Sequence, residues 1–396
     1  MLEQVGKSCV GCSACMNKCP RHCIEMKADS EGFLYPQIQT ELCVQCGLCE
    51  KTCPVLIAVQ QNGESCRQAW SVTTKDYQIL LDSSSGGLFT ALAQRVLEEG
   101  GCVFGAAFTR DFQYVNHVMI KKPEDLAFLR GSKYFQSQIN DIYLQVQNQL
   151  REQRKVLFSG TPCQIAGLKR FLGSEYEHLL LVDVICHGVP SALLWQHYFL
   201  NIKNIRAREI ESVNFRNKRD GWKKFGIEIR TKQGKTFYQS LQENTYMQMF
   251  LKDLCLRESC YQCKAKESGT EADITIGDFW GVERVAPEID NFSGVSLALI
   301  HTQKGLRLFD QVRKKMTALQ VNYDQAINYN PAFQHSVKRP SARDAFYTDL
   351  VTLSWKKMEN KYAHVKFRVK VKRKLSASVV GKAGKSILNK LSGSKR

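Results

Sequence analysis

Cys9-Val10-Gly11-Cys12-Ser13-Ala14-Cys15-Met16-Asn17-Lys18-Cys19-Pro20 and Cys43-Val44-Gln45-Cys46-Gly47-Leu48-Cys49-Glu50-Lys51-Thr52-Cys53-Pro54 are two copies of one pattern, Cys-x2-Cys-x2-Cys-x3-Cys-Pro. Three thiolates spaced by two residues wrap one iron–sulfur cubane, and the fourth, turned away ahead of the proline, reaches the neighbouring one. The spacing therefore predicts two [4Fe–4S] clusters. Cys9, Cys12, Cys15 and Cys53 are expected on one, and Cys19, Cys43, Cys46 and Cys49 on the other. Structural zinc usually takes two separated pairs of ligands, not two runs of four that each close on proline. Cys23 falls outside the pattern and reads as a small buried hydrophobe.

Between the runs, Ile24–Met26 and Phe33–Tyr35 predict a small hairpin with Gly32 at its turn. Runs and hairpin together make a ferredoxin-like domain over residues 1–60, and Gln60–Glu64 reads as a polar linker. A mixed α/β body follows over residues 65–345. Ala69–Thr73, Cys102–Phe108, Lys155–Ser159 and Leu179–Cys186 have the apolar, β-branched character of strands. Leu88–Glu99, Ile139–Gln153, Ile165–Leu172 and Ala192–Ile202 have helical periodicity. Ile210–Phe215, Phe225–Thr231 and Lys235–Gln239 read as an antiparallel group, and Asp273–Gly277 and Val295–His301 as further strands. The expected fold class is α+β or α/β: a small ferredoxin-like domain, a mixed-sheet body and a basic extension over 346–396.

A chain of 396 residues exceeds one small core. It contains no apolar run long enough to span a bilayer. The N-terminus has no secretion signal, so a cytoplasmic location is expected, and there sixteen cysteines in short spacings favour cluster ligation over disulfides. The net charge is +18, and His364–Arg396 holds eleven Lys or Arg with no acidic residue. No nucleic-acid recognition motif accompanies that charge, so no nucleic-acid partner is expected. The tail alternates Val365, Phe367, Val369 and Val371 with basic residues, then spaces Val379, Val380, Ala383, Ile387, Leu388 and Leu391 at near-helical intervals. A basic amphipathic segment of this kind fits peripheral contact with the anionic inner face of the membrane; the alternative is a solvated tail or a final strand packed on the body, since Gly381, Gly384 and Gly393 weaken a helix.

Three motifs in the body carry chemistry. Ser83-Ser84-Ser85-Gly86-Gly87 precedes a helix, whose N-terminus offers free N–H groups to an anion; the same residues also suit a plain cap and turn. Ser159-Gly160-Thr161-Pro162-Cys163-Gln164 leaves a strand and opens a helix with Thr161 as N-cap and Pro162 at the first position. Asp183-Val184-Ile185-Cys186-His187-Gly188 ends another strand, and Cys255-x4-Cys260-x2-Cys263 comes later. These cysteines either converge on a third cluster, or Cys163 and Cys186 are buried free thiols.

The body resembles the beta subunit of coenzyme F420 hydrogenases/dehydrogenases and its relatives. The resemblance rests on Ser84–Gly87, Arg130–Ser137 (RGSKYFQS), Gly160–Gln164, Asp183–Pro190, Phe215–Lys218, Arg257–Cys263 and Asp273–Gly281 (DITIGDFWG), in that order. It implies a flavin, usually FAD, beside a third [4Fe–4S] cluster. Cys163, Cys186, Cys260 and Cys263 are the implied ligands, with Cys255 as a competitor. Ser84, Ser85, Gly86, Gly87, Lys133, Tyr134 and Gln136 are the implied flavin contacts. The appended cluster domain and basic tail resemble a bacterial branch associated with surface-polysaccharide synthesis. The expected function is an oxidoreductase that passes electrons between a ferredoxin-type carrier or partner redox subunit, the clusters, and a flavin exchanging hydride with an organic substrate or a deazaflavin-type coenzyme. A non-catalytic electron-transfer subunit is the alternative. His187, Lys133 and Asp278 are candidate acid–base groups, and Lys218, Arg219 and Lys223 candidate contacts to an anion.

Overall fold

The computed structural model describes residues 2–57, 66–202, 209–267 and 269–363. The linker Gln60–Glu64 and the basic tail 364–396 lie outside the described residues. In the N-terminal module, β1 (Ile24–Ala28) and β2 (Leu34–Ile38) pair antiparallel, with Ala28 opposite Leu34 at the turn. The Asp29 carboxylate accepts the Glu31 and Phe33 N–H groups and so pins that turn. Short helices, Ala14–Lys18 and Leu48–Lys51, carry the third cysteine of each run, Cys15 and Cys49.

The body is built on an eight-stranded sheet. Its strands are β3 (Gln68–Thr74), β4 (Cys102–Phe108), β5 (Val115–Ile120), β6 (Val156–Gly160), β7 (Leu179–Val184), β11 (Ile274–Asp278), β12 (Ser296–Ile300) and β13 (Met316–Val321), in the order β13-β3-β12-β11-β7-β6-β4-β5. The four inner strands β11, β7, β6 and β4 are parallel, and both flanks are antiparallel. A parallel strand is covered on both faces, which is why Leu179–Asp183 is a continuous buried run. Alternation along the strands divides the packing. Val103, Leu157 and Leu180 meet the helices Leu88–Glu98 and Gln303–Arg313 on one side. Phe104, Val156, Phe158, Leu179 and Leu181 meet Ile142–Arg151 and Pro162–Leu172 on the other. A second sheet, β8 (Ile210–Asn217), β9 (Gly226–Thr231) and β10 (Thr236–Ser240), is antiparallel as its sequence predicts.

Two body strands, β5 and β13, escape the sequence reading. Both are edge strands with polar residues, Asn116 and His117 in one and Thr317 and Gln320 in the other, which blur the alternation. The segment read as the start of the basic extension is also part of the core. Helices Arg343–Thr352 and Trp355–Tyr362 bury Phe346, Tyr347, Leu350, Met358 and Tyr362 among the body aromatics.

The N-terminal module is packed on the body. Val10, Cys12 and Ala14 share the apolar cluster of Ile142–Arg151 and Pro162–Leu172. Arg343, 1% exposed, donates to both carboxylate oxygens of Glu31 at 2.9 and 2.6 Å. Asn17 donates to the Asn140 carbonyl at 2.6 Å, and Lys18 to that of Phe171 at 2.8 Å.

Candidate functional site

β6, β7 and β11 run parallel side by side, so their carboxyl ends open at one edge of the sheet, where α/β proteins place their ligands. The chain leaving β6 caps a helix at Thr161, whose N–H is accepted by the Gln164 side chain at 3.0 Å, with Pro162 next. Cys163 therefore stands in the first helical turn. The chain leaving β7 presents Cys186 and His187. Cys260 and Cys263 arrive from the 3-10 turn Glu258–Gln262, held against the β7 exit by the Arg257 N–H to the Val189 carbonyl, 2.9 Å. All four cysteines line one cavity of about 640 Å³.

Their thiols oppose one another's ionisation. Burial pushes Cys163 up to about 12, and Cys263 and Cys260 push the same way. Cys186 is pushed well above the ordinary thiol range by burial, then by Cys260 and Cys163, and Cys260 up to about 11 by burial and Cys263. Buried thiols that raise one another in this way ionise together only beside a cation. Among the described residues no group of three or more His, Cys, Asp or Glu side chains closes on a single metal ion. Cys255 is fully buried among apolar residues and is not part of the cavity wall.

In the module, Cys53 of the second run lines one small pocket with Cys9, Cys12 and Cys15 of the first; burial, then Cys9, Cys53 and Cys49 push Cys15 up to about 12. Cys12 faces the body: burial, then Cys15 and, further down, Cys163 raise it well above the ordinary range. A Cβ on Gly167 of the helix Pro162–Leu172 would lie 2.9 Å from the Cys12 sulfur, so only glycine admits this approach. Cys46 is exposed at the far side, and Cys23 is buried with its sulfur 3.4 Å from that of Cys19.

The predicted flavin contacts border the same cavity. Ser84, Ser85, Gly87, Lys133, Tyr134 and Gln136 line it, together with the first helical turn Leu88–Thr90, whose N–H groups have no helical acceptor. Gly86 lies beneath this rim: its N–H donates to Ser296 Oγ at 2.8 Å, and a Cβ there would lie 2.2 Å from the Val72 carbonyl oxygen. Lys218 is turned to backbone carbonyls. Its Nζ, pushed down to about 7 by burial and by Arg216, donates to the Leu80 and Ser85 carbonyls at 2.7 Å each and braces the serine loop. Lys223 pairs with Glu283 and Asp290, and Arg219 lies over the Tyr238 ring.

The three acid–base candidates differ in their freedom. Desolvation pushes Lys133 down to about 7, but its three protons go to the carbonyls of Phe128, Leu129 and Arg130, where it ends a short helix. Asp278 is held in a 2.7 Å ion pair with Arg216. His187 packs on the edge of Phe250 and hydrogen-bonds Asp253 Oδ1 through Nε2 at 2.5 Å. A carboxylate on one ring nitrogen fixes the tautomer and leaves the other for proton transfer.

Two consecutive models of one family match in order. The coenzyme F420 hydrogenase/dehydrogenase beta subunit N-terminal model covers residues 69–143, and the C-terminal model covers 153–324. The chain belongs to that family. A 4Fe-4S dicluster domain model matches residues 8–57 in front of it. A subunit of the F(420)H(2) dehydrogenase of Methanosarcina mazei is 21% identical over 325 residues, 79% of this chain and 84% of the relative. The VorC subunit of the ketoisovalerate oxidoreductase of Methanothermobacter marburgensis is 35% identical over 60 residues, 15% of this chain and 76% of the relative. A chain of the F420-reducing [NiFe] hydrogenase complex from Methanosarcina barkeri aligns with TM-score 0.45 and 16% identity, over 72% of this chain and 99% of that one. This chain is thus a member of an oxidoreductase family with an appended iron–sulfur electron-transfer domain. Among the described residues no helix is long and apolar enough to cross a membrane.

Three residues of this family member's cavity region were not legible as site residues. Arg216, 3% exposed, pairs with Asp278, stacks 3.6 Å from the Phe225 centroid and reaches Tyr134 Oη at 3.4 Å. Asp253 holds His187 from a left-handed position, φ 59°, just past the helix Thr245–Leu251. His117 comes from the edge strand β5, and its Nε2 lies 3.0 Å from the Ser159 carbonyl. A carbonyl only accepts, so Nε2 carries the proton, and the neutral ring keeps Nδ1 as a buried acceptor without a protein partner among the described residues. Burial pushes this histidine down to about 4. Only the DITIGDFWG and FRNK segments hinted at the first of the three; spacing carries no signal for the others.

Proposed function

We propose that the chain is an iron–sulfur flavoprotein oxidoreductase which exchanges electrons with a ferredoxin-type carrier or a partner redox subunit and hydride with an organic substrate. The observation that carries this is the shared cavity: the four body cysteines, the serine loop and His187, held by Asp253, border one volume of about 640 Å³. That size suits a cofactor or small ligand. Its lining includes Arg130, Lys133, Arg216, Lys223, Arg257 and Lys266 against a single acidic residue among the described ones, Asp278, which favours an anionic guest. Cys163, Cys186, Cys260 and Cys263 would hold the third cluster, and Ser84, Ser85, Gly87, Tyr134 and the helix end would receive the flavin. Bound there, clusters supply one-electron transfer and a flavin supplies hydride exchange. His187, oriented by Asp253, would hold or release the substrate proton. Arg216 would anchor negative charge while Asp278 keeps it in place.

The three proposed thiol sets would stand in series: Cys46 is exposed in the outer set, Cys12, Cys15 and Cys53 are buried and Cys9 half-buried in the inner one, and Cys163 of the body set packs on the apolar cluster that holds Cys12. This series supports an outer surface that meets the one-electron partner. Anaerobic purification with iron, sulfide and flavin analysis tests the reading. About twelve irons, from three cubanes, and one flavin per chain are expected; a flavin-free protein with about eight irons would reduce it to a carrier subunit.

A further inference from the structure

Among the described residues three arginines have almost no solvent exposure: Arg216 at 3%, Arg257 at 1% and Arg343 at 1%. Two of them face carboxylates. Arg216 pairs with Asp278, and Arg343 with Glu31 and Glu258. Arg257 has no carboxylate partner among the described residues. Its Nε donates to the Cys9 carbonyl at 2.7 Å, Nη2 to the Leu34 carbonyl at 2.9 Å, and Nη1 to Gln136 Oε1 at 3.0 Å. Its guanidinium lies over the Tyr35 ring, 4.3 Å from the centroid. One hydrogen bond engages each of its three nitrogens, but its charge is left without a carboxylate, which is strongly unfavourable in a buried site.

The position of that charge says what compensates it. Arg257 stands three residues before Cys260, whose N–H donates to the Arg257 carbonyl at 2.9 Å. Its side chain crosses into the N-terminal module and holds the carbonyl of Cys9 itself. Gln136 completes the bridge by donating to the Val10 carbonyl at 3.0 Å. The guanidinium thus lies between the inner module set and the body set of thiolates. A thiolate-ligated cubane is anionic, and its negative charge grows by one on reduction.

We propose that Arg257 is the shared counter-ion of these two clusters, and that its charge raises the reduction potential of both above that of the outer cluster. This rests on the cluster assignment above. Removing the charge disfavours the more negative, reduced state, so the potentials must fall. Potentiometric titration of the full chain by electron paramagnetic resonance tests it. Arg257→Gln is expected to lower the reduction equilibrium constant of the inner and body clusters at least tenfold, about 59 mV for one electron. The outer cluster on Cys19, Cys43, Cys46 and Cys49 should change less than twofold. Arg257→Lys keeps the charge and should restore the potentials. Near-cluster potentials unchanged in Arg257→Gln, or an equal fall in Arg257→Lys, would overturn the proposal. Should Arg257→Gln fail to assemble, Gln136→Glu seats a carboxylate beside Nη1: the same downward shift supports the proposal, and unchanged potentials overturn it. A wild-type chain without the inner or body cluster would instead overturn the assignment itself.

Discussion

The N-terminal module and the body gather their cysteines with opposite use of the chain. The module gathers its eight predicted ligands between Cys9 and Cys53, in two local turns that any short stretch of sequence can specify. The body draws Cys163 and Cys186 from the ends of neighbouring parallel strands and Cys260 and Cys263 from a distant turn. Its site exists only after the sheet has formed. The difference teaches that a local site can be appended to a fold, whereas a distributed one is a property of the fold.

The sharpest test of that contrast is Cys186→Ala. It should abolish the body cluster, a loss of about four irons of twelve, while the module keeps its own two clusters. Iron analysis with spectroscopy of the remaining clusters measures it, and loss of all twelve would mean that module and body assemble as one unit. Next in size is Arg343→Met. It leaves Glu31 without its buried partner and should destabilise the chain by about 3–5 kcal/mol. Denaturant unfolding followed by separate module and body signals will tell whether the two then unfold in separate steps.

Acid should act through the body as well. His117 is neutral when folded, pushed down to about 4, and takes a proton once unfolded, where it titrates near 6.5. Its contribution is therefore complete above the unfolded value and lost as pH falls from about 6.5 towards 4. His117→Asn should flatten that limb by at most about 3 kcal/mol. An unchanged stability profile in urea at pH 4.5–7 would assign the acid limb to other groups. The smallest effect expected is on turnover. His187→Gln should slow substrate reduction about a hundredfold, near 2.7 kcal/mol, and Asp253→Asn somewhat less. Cluster reduction by the one-electron donor should stay at the wild-type rate in both, which separates body chemistry from module chemistry.

Sequence by itself determined what depends on near neighbours. The twin cysteine runs, the hairpin between them, the Thr161–Pro162 cap, the inner strands β4, β6 and β7 and the antiparallel β8–β10 group are all written in spacing, capping and apolar runs of a few residues. The order of the family segments from Ser84 to Gly281 indicated the kind of body. What the sequence left open needs distance information. The edge strands β5 and β13 depend on partners to pair at all, and the helices after Arg343 become core only because Phe346 and Tyr362 find the body aromatics. Asp253 matters because folding brings it 2.5 Å from His187, and Lys218 turns from a candidate anion contact into a brace because two carbonyls await it. Tertiary structure alone decided that Cys12 and Cys163 meet in one apolar cluster, and that Arg257, buried and without a carboxylate partner among the described residues, lies between their two sets. The physical reason is that Coulomb interactions and desolvation act through space, over a few ångströms, between residues that stand far apart along the chain.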